Sequence, residues 1–328
     1  KMILLFLLFF GGETEDTGPR KRAFHPLRST VVSRLTSGTD PVYSVQFSHD
    51  GKWLIGSGKD ATLRIWSASD FELDREINVE SGKIHHAVFS RDAKRILCVS
   101  SLGQSVFVYD SVGGGKRNQF SGVVSYFQSA DLHPGGKLAA LSRPGGSCEV
   151  VDLDTGKKRI FSGGPAPYIY AVRFSPDGKW LAIGKGGAVR IYDLEKREEM
   201  LLLEGHKKFV YSLSFSPDSK MLVSGSLDGT ARVWDLPSGK ERSVLPGHGR
   251  FVSSVGISLD GRWVITTSWD GAVRFWNART GEFLRKEIAH EGTAWDASFH
   301  PDGRRLATGG KDGKILIWGM DRGGRKNP

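Results

Sequence analysis

Residues 201–235 read LLLEGHKKFVYSLSFSPDSKMLVSGSLDGTARVWD, and the grammar of this stretch decides the fold. Val210 to Phe215 alternate as a half-buried strand does. Ser216-Pro217-Asp218-Ser219 follow as a turn, with proline presetting φ at its second position. Met221 to Ser226 form a second strand, and Asp228-Gly229 a tight hairpin turn whose glycine tolerates positive φ. Ala231 to Trp234 form a third strand. Leu201 to Leu203 precede the unit as an outer strand, and Gly205-His206 link that strand to the next.

The same grammar recurs along the chain. Trp66, Tyr109, Val151, Tyr192, Trp234, Trp276 and Trp318 each end a short alternating run, at spacings of 43, 42, 41, 42, 42 and 42 residues. A period near 42 held over seven units is the signature of a propeller or a solenoid array. The first turn recurs as Asp50-Gly51, Asp177-Gly178, Asp260-Gly261 and Asp302-Gly303, and the second as Asp270-Gly271 and Asp312-Gly313. Short strands at regular spacing with such turns predict an all-β fold. Four strands per unit give a seven-bladed β-propeller, whose radial packing leaves only short protected edges.

The two ends of the array decide between a closed ring and an open solenoid. After Trp318 only Gly319 to Pro328 remain, a glycine-rich basic segment that makes a poor outer strand. Ser29 to Leu35 (STVVSRL) have the outer-strand pattern but no blade of their own. They are expected to complete the seventh blade from the other end of the chain. The propeller is therefore placed at residues 24–320, between an apolar and linker segment at 1–23 and a basic tail at 321–328.

Composition agrees with one large core. The 328 residues are 39% apolar and 25% charged, ordinary for a globular chain. Net charge is +10 with a pI near 9.6, which suits an acidic partner. The basic residues are scattered, so no specific nucleic acid is expected; a nucleic-acid- or chromatin-associated propeller is the alternative that charge alone suggests. Cys98 and Cys148 are too few for a disulfide framework and are read as buried thiols. Met2 to Phe10 (MILLFLLFF) are too short to span a bilayer, which needs about 20 residues. They leave secretion or membrane tethering open beside a favoured cytoplasmic location. The expected form is a monomeric propeller within a larger complex or chain.

Gly205-His206, Gly247-His248 and the pair Trp234-Asp235 resemble the WD-repeat family, as in the β subunit of heterotrimeric G proteins. The resemblance covers residues 29–318. It implies a non-catalytic interaction platform with no cofactor, and in each strong blade a structural tetrad of His, Ser or Thr, turn Asp and landmark Trp. The matching positions are His206, Ser224, Asp228 and Trp234; His248, Thr266, Asp270 and Trp276; and His290, Thr308, Asp312 and Trp318. The first blade keeps Ser57, Asp60 and Trp66 without a histidine. In the second to fourth blades Gly103, Gly145 and Gly186 replace the turn Asp, which predicts a less rigid half.

A His–Asp–Ser set invites a hydrolase reading, but a catalytic triad is singular and needs an oxyanion site. Repetition at equivalent places argues for structure, so an enzyme using the central channel is the remote reading. No metal site is expected. His85-His86 are adjacent, and neighbouring strand residues face opposite ways. The arginines two before the landmark, Arg64, Arg190, Arg232 and Arg274, read as packing between strands.

In propellers of the resembled kind, one face carries the residues around each first-strand start and the residue before each turn Asp. Here these include Tyr43, Lys59, Lys83, His85, Tyr126, Tyr168, Tyr170, Lys185, Phe209, Tyr211, Phe251, Trp269, Trp295 and Lys311. The set is aromatic and basic with no acid. Exposed Tyr and Trp are favoured interface anchors. The expected partner is therefore a protein or peptide, acidic or phosphorylated, held by aromatic anchors inside a lysine rim.

Overall fold

In a computed structural model of the chain, the described residues are 26–36, 40–79, 82–100, 105–120, 129–143, 145–162, 166 and 168–322. They form 28 strands and no helix. Accordingly, none of them belongs to a helix long and apolar enough to cross a membrane. The strands make seven four-stranded antiparallel sheets. The first six are each built from consecutive strands, from β2–β5 (starting at Val42) to β22–β25 (ending at Ile288). The innermost strand of each sheet touches those of its two neighbours, so the sheets stand as blades around a central channel. The repeat predicted from sequence is thus a seven-bladed propeller.

The seventh blade carries the closure. β26 (Ala294–Phe299), β27 (Arg305–Gly310) and β28 (Lys314–Arg322) supply its three inner strands, and β1 (Pro26–Thr36) supplies the outer one. The β1–β28 ladder pairs Ser29 with Met320, Val31 with Trp318 and Leu35 with Ile315. Leu35 is buried with Val42, Phe47, Trp66, Ile315 and Ile317 in the core between the seventh and first blades. Each pair of neighbouring blades traps such an apolar layer, and burial of that surface is the main force holding the ring together.

Polar stitches add to the layers along the channel wall. A side chain of one inner strand accepts a hydrogen bond from an amide of the next blade's inner strand. Ser298 Oγ takes Phe47 N–H (3.1 Å), Gln46 Oε1 takes Phe89 N–H (2.6 Å), Asp131 Oδ2 takes Phe174 N–H (2.8 Å) and Ser212 Oγ takes Val255 N–H (3.1 Å). At the lower rim the first turns of blades 1, 2, 4, 5 and 6 are each fixed by an Asp that accepts from a Ser hydroxyl and a backbone amide, as Asp50 does from Ser48 (2.6 Å) and Lys52 N–H (3.1 Å). His133 and His300 replace that Ser in blades 3 and 7. Their Nδ1 atoms accept from Gly135 and Asp302 N–H (3.0 Å each). Their Nε2 atoms donate across the blade boundary to the carbonyls of Gly178 (3.0 Å) and Gly51 (2.9 Å).

The arginines read as strand packing turn out to be ionic ties between third and fourth strands. Arg64 pairs with Glu76 (2.6 Å), Arg190 with Glu199 (2.7 Å) and Arg232 with Glu241. Arg274 instead lies 3.9 Å from Asp270. Cys98 and Cys148 are buried free thiols in second and third strands, and burial pushes both well above the usual range, Cys148 to about 12.

Candidate functional site

The tetrads come first, because they position the upper face. In blade 5, His206 Nδ1 lies 3.0 Å from Asp228 Oδ2, and Nε2 lies 2.8 Å from Ser224 Oγ. Trp234 Nε1–H donates to the same Oγ at 2.8 Å. Blade 6 repeats this with His248 on Asp270 (3.0 Å) and Thr266 (2.7 Å), and Trp276 on Thr266 (3.1 Å). Blade 7 repeats it with His290 on Asp312 (2.9 Å) and Thr308 (2.9 Å), and Trp318 on Thr308 (3.0 Å). One proton order satisfies every group: indole N–H to hydroxyl oxygen, hydroxyl O–H to His Nε2, and Nδ1–H to carboxylate. The histidine thus accepts from the hydroxyl at Nε2 and donates to the carboxylate at Nδ1.

Blade 1 does not join its three residues. Ser57 Oγ is buried with no hydrogen-bond partner among the described residues. Asp60 turns instead to the Arg64 guanidinium, and Trp66 packs in the core between blades 7 and 1. With no histidine between hydroxyl and carboxylate there is nothing to connect them.

Electrostatics at the three relays favour a fixed charge pattern. Burial pushes the carboxyl of Asp228 up, but bonds from the Thr230 hydroxyl, the Lys207 and Thr230 amides, and His206 outweigh it and hold it at about 2. Burial lowers the pKa of His206, against the pull of Asp228.

A second recurring device aims side chains at the channel mouth. In six blades the inner strand slips register after its first residue, between Val42 and Ser44, Ile84 and His86, Ile169 and Ala171, Val210 and Ser212, Val252 and Ser254, and Ala294 and Asp296. The extra residue at each β-bulge is Tyr43, His85, Tyr170, Tyr211, Ser253 or Trp295. The bulge also overturns one expectation. His85 and His86 do not part to opposite faces, since both line the upper cavity.

A backbone bond adds the residue before each turn Asp to the same face. Lys59, Leu227, Trp269 and Lys311 N–H donate to the carbonyls of Pro41, Phe209, Phe251 and Thr293 at 2.8–3.1 Å. The rings so placed meet in two arcs. Phe251, Trp269, Trp295, Tyr43 and His85 follow one another at centroid distances of 5.0, 5.4, 5.4 and 5.2 Å across blades 6, 7, 1 and 2. Tyr168, Tyr170, Phe209 and Tyr211 make the second arc in blades 4 and 5, with Tyr170 5.1 Å from Phe209 and 5.8 Å from Tyr211. Tyr168 is exposed; the other rings are half-buried. Tyr126, the blade 3 candidate, lies outside the described residues.

The lysine rim is smaller than expected. Lys59, Lys83 and Lys311 are exposed, with Lys59 tied to Asp40 at 3.0 Å. Lys185 is buried, and its Nζ donates to the carbonyl of Gly146 in blade 3 at 2.6 Å. With Gly186 beside it in place of the turn Asp, the lysine caps a neighbouring backbone instead of reaching solvent.

Between the arcs lies a cavity of about 230 Å³. Its floor is a charged crossing that sequence gave no sign of. Arg173 Nη2 donates to His86 Nε2 at 3.2 Å, reaching from blade 4 past blade 3 to blade 2, and its Nη1 lies 3.6 Å from Asp131. Burial holds His86 neutral, near pKa 3, and pushes the carboxyls of Asp131 and Asp296 up. Below the floor a second cavity, about 350 Å³, opens to the lower rim past His49, Arg91 and Leu259.

Fold and site together define a closed seven-bladed propeller that presents an aromatic mouth over a plugged channel. The sequence model described as "WD domain, G-beta repeat" matches residues 29–67, 156–193, 197–235, 239–277 and 281–319, more than half of the chain. The chain therefore belongs to the WD-repeat family. Over 173 residues it is 27% identical to "WD repeat-containing protein 26 homolog" of Arabidopsis thaliana, covering 48% of this chain and 27% of that protein. Over 179 residues it is 27% identical to "Apoptotic protease-activating factor 1" of Danio rerio, covering 51% of this chain and 14% of that one. Over 170 residues it is 28% identical to "Transcription initiation factor TFIID subunit 5" of Caenorhabditis elegans, covering 52% and 26%. The matched stretch thus spans about a quarter or less of each of these relatives. Propellers of this family generally serve as protein-interaction scaffolds.

Proposed function

We propose that this chain is a non-catalytic scaffold that holds a peptide or protein segment across its upper face, with a preference for acidic or phosphorylated sequences. The observation that carries this reading is the unbroken arc Phe251–Trp269–Trp295–Tyr43–His85 at the channel mouth. Large rings bring contact area at low conformational cost, and Tyr and Trp dominate binding hot spots. Exposed Lys83 and Lys311 flank the arc, and the net charge of +10 favours acidic partners over the whole surface.

A scaffold without catalysis also fits the chemistry of the relays. The hydroxyls of Ser224, Thr266 and Thr308 belong to fully buried residues and are engaged by both an indole and an imidazole. No substrate carbonyl reaches a nucleophile so enclosed. The test is affinity capture of partners by the wild type and by the W269A/W295A variant, with thermal unfolding of both as a control. Capture is expected to fall at least about tenfold, since hot-spot truncations cost ~2 kcal/mol or more. Undiminished capture by a folded variant rejects the upper face as the binding surface.

A further inference from the structure

The upper cavity holds more donors than it has acceptors for. The indole N–H groups of Trp269 and Trp295 are buried with no hydrogen-bond partner among the described residues, and so is Nη1 of Arg173. All three residues line the cavity. Nη1 has Asp131 at 3.6 Å, an ion pair without a hydrogen bond. A buried donor left unanswered is costly and rare in folded proteins. Three beside one cavity therefore point to an acceptor arriving from outside.

Several acceptors at and near the cavity are already engaged by neighbouring groups. Asp296 takes Val45 N–H (3.0 Å), the Ser254 hydroxyl (2.7 Å) and Ala297 N–H (2.9 Å). Asp131 Oδ2 takes Phe174 N–H (2.8 Å), and Ser212 Oγ takes Val255 N–H (3.1 Å). Charge then selects among possible guests. A carboxylate brought to this floor meets the buried carboxyl of Asp296, while the guanidinium of Arg173 already has Asp131 beside it on the side of the lower cavity. A cation meets Arg173 and leaves the three donors unanswered. A neutral carbonyl answers the donors with no charge brought into a poorly solvated site. The walls suit an aliphatic stem, being the rings of Tyr43, Tyr170 and Tyr211 and the side chain of Leu213.

We propose that this cavity receives one uncharged side chain of the bound segment, an aliphatic stem ending in a carboxamide carbonyl, as in glutamine or N-acetylated lysine. The proposal rests on the upper-face reading above and adds to it the chemistry of the central anchor. Lysines of the rim then read acidic residues on either side, while the cavity reads a neutral one.

The test uses one acidic nonapeptide in five forms, with glutamine, acetyl-lysine, lysine, glutamate or leucine at its centre. Binding to the whole chain is titrated while the indole N–H resonances are followed in the ¹⁵N-labelled protein. Of nine tryptophans, the signals of Trp269 and Trp295 are assigned by their loss in W269F and W295F. The glutamine or the acetyl-lysine form is expected to bind at least about tenfold tighter than the leucine, lysine and glutamate forms, the size of two neutral hydrogen bonds. It should also move both indole signals downfield, and the order of the two forms identifies the source of the carbonyl. In the W269F/W295F variant the advantage over the leucine form should shrink to within about twofold, whatever affinity the variant keeps for the leucine form itself. Equal or tighter binding of the lysine or glutamate form, or binding that leaves both indole signals in place, overturns the proposal and leaves the upper-face reading intact. Silence from all five forms overturns both. The wild-type ranking needs no variant, so a double variant that fails to fold does not blunt the test.

Discussion

At the scale of single residues, the hydroxyl at the centre of each relay is the most exposed to loss, because it serves two partners at once. Thr266 accepts from Trp276 and donates to His248. Thr266→Val keeps the shape and removes both bonds, so it strands a buried indole N–H and an imidazole nitrogen. The expected loss is about 2–4 kcal/mol, read by urea denaturation, against a small loss for Thr266→Ser. Asp228 gives a pH signature. Its folded pKa, about 2, lies below its ordinary value of 3.8, so its stabilising effect is fully present above about pH 4 and is lost as pH falls toward 2. The melting temperature should fall across that window, and Asp228→Asn should flatten the fall; an unchanged slope in the variant assigns acid lability elsewhere. The relay residues were legible in the sequence because each occupies a fixed place in a repeat. Arg173 and His86 were not, since their contact joins blades 2 and 4 across the channel and no local pattern records a contact at that separation.

At the scale of the strand, two devices matter, and they differ in how openly the sequence shows them. The closing strand showed itself as an outer-strand pattern with no blade of its own. The bulge did not, because a single inserted residue leaves the alternation of a six-residue strand nearly intact. It is nonetheless what sets Tyr43, Tyr170 and Trp295 on the channel side. The missed signal was an aromatic at the second strand position in four blades, Tyr43, Tyr170, Tyr211 and Trp295. Lys185 shows the opposite failure: its place in the repeat was right, but a neighbouring blade's carbonyl claimed its ammonium. The closing strand yields a firm prediction. Deleting residues 1–36 leaves β28 as a bare edge with Ile315 and Ile317 without their Leu35 cover. The truncated protein should melt lower and associate at micromolar concentration, as seen by light scattering. A monomer with unchanged melting refutes a closing role for β1.

At the scale of the whole ring, the blades are unequal. Among the described residues, His relays tie blades 5, 6 and 7 and no such relay ties blades 2, 3 and 4, where turn glycines replace the aspartates. The family match covers blades 4 to 7 and the first, and it passes over residues 68–155. Amides in second and third strands of blades 2 to 4 should therefore exchange with deuterium faster than their counterparts in blades 5 to 7. Equal protection all round would mean that apolar layers alone set local stability. The order of the strands in the seventh blade has a further consequence for biosynthesis. On the ribosome β1 emerges ahead of the other described strands, yet its ladder partner among them, β28, emerges after all the rest. Until β28 is released that early segment stays unmatched, and the finished blades cannot seal the circle before then. Closure of the ring therefore waits on its last strand, and the waiting interval is when a nascent chain most needs a chaperone's shelter.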